Sequence, residues 1–175
     1  ICYLLFALFS GIMLLINARG KKEVRLFGMM TLLLGGGDAF HLIPRVLNYW
    51  APGDYTAALG IGKLITSVTM TLFYLLMEYA RRERYKINGE KPLMISVWVL
   101  SVIRIALCCF PQNEWTSAEP SLLWGILRNI PFAAIGTITV ILWLRSSRDD
   151  KPFKFAWLAV TLSFLFYLPV VLWSQ

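Results

Sequence analysis

Seven polar side chains break into otherwise apolar stretches of the chain: Asp38, His41, Arg45, Lys63, Arg104, Arg128 and Asn129. The first three are spaced by three, four and seven residues, which puts them on one face of a helix. Arginine keeps its proton and presents a fork that matches carboxylate or phosphate, so Arg104, Arg128 and Arg45 are candidate anion holders. Asp38 and His41 could tune such a site or carry a proton, because an imidazole titrates near neutral pH. With His neutral, four cations face one carboxylate in this set. Such an imbalance in low dielectric demands water or an anion. The expectation is a net-cationic pocket for a small anionic or amphiphilic solute that is bound, transported or sensed.

A different chemistry can be built from the same residues. Asp38 and His41 at helical spacing form a possible acid/base pair, with a Ser or Thr of a neighbouring helix in reach. That would make the chain a membrane-embedded hydrolase or transferase acting on lipid esters or phosphoesters. The pair is the only candidate for catalysis, and no residue is firmly catalytic. No metal and no cofactor are expected: a single His leaves no multi-His cluster. Cys108 and Cys109 are adjacent, so they cannot form a Cys-x-x-Cys pair. The motifs of serine hydrolases, zinc proteases and phosphate-binding loops are missing from the sequence.

The elements that must position these groups follow from composition. Hydrophobic residues make up 58% of the 175 residues, charged residues only 15%, and the mean hydropathy is +0.63. A soluble domain carries about 25% charged residues, so this chain lies on the membrane side. Crossing ~30 Å of hydrocarbon takes ~20 apolar residues in a helix. Six stretches qualify, about 1–18, 26–49, 57–79, 92–110, 121–144 and 154–174. They are continuous and do not alternate, which excludes a barrel. The fold expected is an all-α, polytopic transmembrane helical bundle forming a single domain over 1–175. Lys and Arg occur in short clusters between the apolar runs, a pattern that speaks against nucleic acid as a partner and for membrane lipids.

The connections alternate in charge. Arg19, Lys21, Lys22 and Arg25 mark the first, Arg81, Arg82, Arg84, Lys86 and Lys91 the third, and Arg145, Arg148, Lys151 and Lys154 the fifth. The second and fourth contain no Lys or Arg. Basic loops stay in the cytoplasm, which predicts an N-terminus outside in a plasma (inner) membrane, with loops 19–25, 80–91 and 145–154 inside. Trp50, Trp115, Trp124 and Trp173 then fall near the outer boundary, and Trp98, Trp143 and Trp157 near the inner one. Counted at 1.5 Å per residue, Asp38 lies roughly 18 Å from the inner end, with Arg45 about 10 Å further out. Lys63 and Arg128 lie roughly 10 Å below the outer surface and Arg104 roughly 18 Å up from the inner one. The polar set therefore converges on the middle and outer half of the bundle, while Glu78 near the inner boundary is expected to reach water.

Thr66, Ser67 and Tyr74 continue the Lys63 face, and Ser163 and Tyr167 of the last span could complete a polar lining. Gly35, Gly36 and Gly37 before Asp38 serve either close helix packing or a break that aims a helix N-terminus into the pocket. Pro131 and Pro169 are expected to kink their helices. A shift of 125 residues superposes Gly11 on Gly136 and Pro44 on Pro169. Read as a parallel repeat, it predicts a three-plus-one-plus-three layout with a seventh helix after Gln175. A second copy of the chain or a partner subunit is the remaining way to neutralise charged helix faces.

Overall fold

The computed structural model describes the backbone of residues 2–173 and the side chains of residues 2–166. It is all-helical: α1 (Cys2–Ile16), α2 (Lys22–Trp50), α3 (Thr56–Arg84), α4 (Lys91–Cys109), α5 (Leu122–Ser147) and α6 (Ala156–Trp173). Six helices stand where six apolar stretches were read. Four of them, α2 to α5, are long and apolar enough to cross a membrane. α1 is apolar but has only 15 residues, roughly 22 Å of helix. Exposed large apolar side chains such as Phe6, Phe9, Ile95, Val102, Ile126 and Ile130 line the outer faces. So much exposed apolar surface fits a hydrocarbon surround, and these features point to a membrane protein.

Three helices run longer than a bilayer-limited count. α2 starts at Lys22 rather than 26, α3 continues through Arg84 rather than stopping at 79, and α5 continues to Ser147. The added residues include Lys, Glu and Arg, which propagate a helix well once it has started. All three extensions lie at the end of the bundle that carries the basic connections. At that end α1 stops where Arg19 and Gly20 turn into the left-handed region, at φ 43° and 80°. At the opposite end Asp54 accepts the Thr56 backbone N–H at 2.9 Å, and this donor holds its carboxyl below the usual range.

α3 is the central element, packed on α2, α4 and α5, while α1 lies on α2 and α6 on α5. Its aromatic core joins Met70, Tyr74 and Leu75 to Val97, Phe132, Ile135 and Phe164. Tyr74 meets Phe132 and Phe164 edge-on at 5.4 and 6.3 Å between ring centres. A second cluster, Met30, Met77, Ala80, Trp143 and Val160, fills the basic half. Trp143 is only 1% exposed and packs on Tyr85, so it belongs to this core and not to a boundary belt.

The glycine run does not break α2, which is continuous from Lys22 to Trp50. A Cβ at Gly35 would stand 2.9 Å from the Ala7 Cβ, and one at Gly37 would collide with the Thr69 side chain. The run lets α1 and α3 approach α2 from two sides. Pro44 also sits within the continuous helix and leaves the Phe40 carbonyl without its usual donor. That carbonyl faces Gly62 of α3, where a Cβ would overlap it. α5 likewise continues through Pro131.

Gly11 and Gly136 both take the side chain of the next helix, Leu32 and Phe164 respectively. A shift of 125 would carry Leu32 onto Trp157, so the two hairpins share a close approach but differ in register by about two turns along the second helix. Pro169 and Tyr167 lie outside the described side chains.

Candidate functional site

Three of the expected residues meet in one cavity at the end away from the basic connections. Arg45 of α2, Lys63 of α3 and Arg128 of α5 line a space of about 290 Å³ together with Thr56, Leu59, Gly60, Trp115, Ser117, Ala118 and Pro120. This is at the lower end for a small-molecule site. The lining contains no carboxylate among the described residues. Arg45 is exposed, Lys63 half-buried and Arg128 only 3% exposed. The charges on Arg45 and Arg128 both act on Lys63. Like charges held together in a shielded space raise the local positive potential and draw anions to it.

The 110–121 linker builds the other wall, and its construction was not legible in the sequence. Asn113 is fully buried. Its amide donates to the carbonyls of Leu107 at 2.7 Å and Phe110 at 2.8 Å, which closes the end of α4. Its side-chain oxygen accepts from Arg128 Nη1 at 2.7 Å. Trp115 donates from Nε1 to the Cys108 carbonyl at 2.9 Å, and its ring lies 4.1 Å from the Arg128 guanidinium carbon. Arg128 is thereby held between the Asn113 amide and the Trp115 indole. The Trp115 carbonyl rests on Gly60, where any Cβ would overlap it. In the sequence Trp115 suggested only a boundary residue, and Asn113 carried no signal.

The remaining members of the sequence set are elsewhere. Arg104 is 1% exposed, with its guanidinium 3.6 Å over the Phe132 ring, and does not line the cavity. It lies beside Cys108, one turn on along its own helix. Asn129 is buried and donates to the Gly125 carbonyl of its own helix at 2.8 Å. Asp38 turns toward α1 and accepts from the Tyr3 hydroxyl at 3.0 Å. No hydrogen bond joins Asp38 to His41 among the described residues, and His41 Nδ1 has no partner there. Thr66 donates to the Gly37 carbonyl at 3.1 Å, tying α3 to α2. Ser67 bonds the Lys63 carbonyl one turn back, Tyr74 is core, and Ser163 is exposed on α6.

The basic end holds a cluster that sequence reading missed. Glu78 does not reach water: it is 1% exposed and takes a two-pronged pair from Arg81 at 2.8 Å on each oxygen. Arg81 also donates to Glu90 at 2.6 Å and Ser146 at 2.7 Å. One turn on, Arg84 donates at 2.7 Å to Glu23 of α2 and at 2.7 Å to Asp150, and lies 3.7 Å over the Phe153 ring. The Arg84 bond holds the Asp150 carboxyl below the usual range, while burial and then Asp150 push the Tyr85 phenol up. The i, i+3 spacing of Glu78 and Arg81 was visible, but their burial depends on α5 closing over them.

Among the described residues no group of three or more His, Cys, Asp and Glu is placed to hold a metal ion. No protein family, curated protein or solved structure matches the chain.

Proposed function

We propose that this chain is an integral membrane protein that binds a small anionic or amphiphilic solute in the cavity formed by Arg45, Lys63 and Arg128. The observation that carries this reading is the meeting of three cations, from three helices, in one space walled by Trp115 and Gly60. Arg128 is the specific element. Its guanidinium is held by Asn113 and Trp115 before an anion arrives, which lowers the cost of ordering it on binding. Lys63 and Arg45 add positive charge from two further helices.

In this reading all six helices cross the membrane and the N-terminus is outside. The basic connections lie in the cytoplasm and the cavity faces the exterior of a plasma (inner) membrane. The support is the alternation of charge along the chain, together with a structure that gathers the basic connections at one end and the cavity at the other.

The test is an isothermal titration of the protein in lipid nanodiscs with inorganic phosphate, a short carboxylate and an alkyl phosphate. At least one should bind, and Lys63→Gln and Arg128→Gln should each weaken it by about tenfold or more, the worth of one charge-assisted hydrogen bond. Binding that is indifferent to both substitutions would sink the reading.

A further inference from the structure

The geometry points to a carrier that moves its anion across the membrane, with the Arg81 and Arg84 ion pairs as the closed gate on the basic side; this rests on the cavity being an anion site. Binding alone gives no reason for the cluster at the far end of the same helix. α3 supplies Lys63 to the cavity and Arg84 to the cluster, roughly 30 Å apart on one rod. A tilt of α3 must therefore change both ends together.

The two ends are built differently. At the basic end Arg84 ties α3 to Glu23 at the start of α2 and to Asp150 in the linker after α5. Arg81 ties it to Glu90 ahead of α4 and to Ser146 of α5. Every element that packs on α3 is thus latched to its last turn. Beneath the latch lie Met77, Ala80 and Trp143, so the seal is both ionic and apolar. The Arg84 pairs are partly exposed, at 21% for Arg84, 27% for Glu23 and 17% for Asp150. Pairs that reach water exchange partners for solvent at little cost, so the Arg84 pairs are the part of the seal that opens, while Arg81 stays buried on Glu78 of its own helix. At the cavity end, α3 meets its neighbours through Gly60 against the Trp115 carbonyl and Gly62 against the Phe40 carbonyl. Backbone lies against backbone there, and no ion pair ties α3 to its neighbours at that end among the described residues. Between the two lies the Tyr74, Phe132 and Phe164 cluster, the barrier an anion would have to pass. A site open at one end, a barrier in the middle and a latch at the other are the parts of an alternating-access device.

The test uses the full chain in liposomes with Ala80→Cys as reporter and Cys2 and Cys109 changed to Ser. Ala80 is 0% exposed beneath the latch, so a membrane-impermeant maleimide presented to the basic side should label it slowly. Arg84→Asp should speed labelling by about fivefold or more, and adding Asp150→Arg should restore protection by reversing the pair. Lys86→Gln, at the exposed Lys86–Glu83 pair of the same end, should change nothing. Saturating inorganic phosphate should shift the labelling rate, and Lys63→Gln should abolish that shift. Unchanged labelling in folded Arg84→Asp, or faster labelling that the reversed pair does not rescue, overturns the gate. Phosphate that binds by titration yet leaves labelling untouched overturns the carrier and spares the binding site. Latch-dependent labelling with no phosphate, carboxylate or alkyl phosphate bound overturns the cavity reading and spares the gate.

Discussion

At the scale of the residue, two buried arginines that look alike in sequence have different tasks. Arg128 lines the cavity, whereas Arg104 lies over Phe132 and away from it. Arg128→Lys keeps the charge but loses the fork, the Asn113 bond and the indole stack. Its anion affinity should fall about tenfold by titration, like that of a neutral variant. Arg104→Gln should leave affinity within about threefold while lowering the melting temperature, because it removes a cation–ring contact worth about 1–2 kcal/mol. Equal losses for both variants would return Arg104 to the site. Asp150 gives a pH prediction with a definite sign. Its carboxyl titrates below its unfolded value because Arg84 donates to it. The stability it adds is complete above the unfolded carboxylate pKa of about 4 and is lost as pH falls through the lower folded value. The melting temperature in detergent should drop across that acid range, and Asp150→Asn should flatten part of the drop.

At the scale of the element, glycine decides how α3 sits. Gly60 and Gly62 each face a backbone carbonyl of a neighbour, neither of which can move as a side-chain tip would. Gly60→Ala should push the 110–121 linker off α3 and cost about 1–3 kcal/mol of stability, a typical overpacking penalty. Anion affinity should fall with it, since Trp115 and Asn113 orient Arg128. Gly36→Ala is the control: a Cβ there meets nothing within 4 Å. Helix propensity alone then applies, and the change should stabilise α2 by up to about 1 kcal/mol. Chemical unfolding of the three proteins in the same detergent compares them directly.

At the scale of the whole molecule, the distribution of charge predicts an orientation, and the packing places the cavity at the end away from the basic connections. Cysteines placed at Ser117 beside the cavity and at Lys86 among the basic residues should label from opposite sides of intact cells. Ser117→Cys should react with an impermeant maleimide added outside, and Lys86→Cys only after permeabilisation. The reverse pattern would put the cavity inside and overturn the proposed direction.

Sequence alone determined that the chain is helical, where its helices lie, and which ends carry charge. Those are properties of apolar run length and of Lys and Arg position, and both are local. It also marked Arg45, Lys63 and Arg128 as intruders that need a reason. Tertiary structure decided which of the intruders meet. Asp38 and Arg104 share the middle-to-outer half with the others, but Tyr3 of α1 takes up Asp38, two turns before Arg45 on the same helix, and Arg104 lies over Phe132 of α5. Which neighbour stands opposite a given turn is set by packing, here by Gly35 on Ala7 and Gly62 on Phe40, and a hydropathy pattern of weak periodicity does not encode it. The Asn113 and Trp115 wall and the burial of Glu78 with Arg81 were hidden for the same reason: each needs partners from helices distant in the chain.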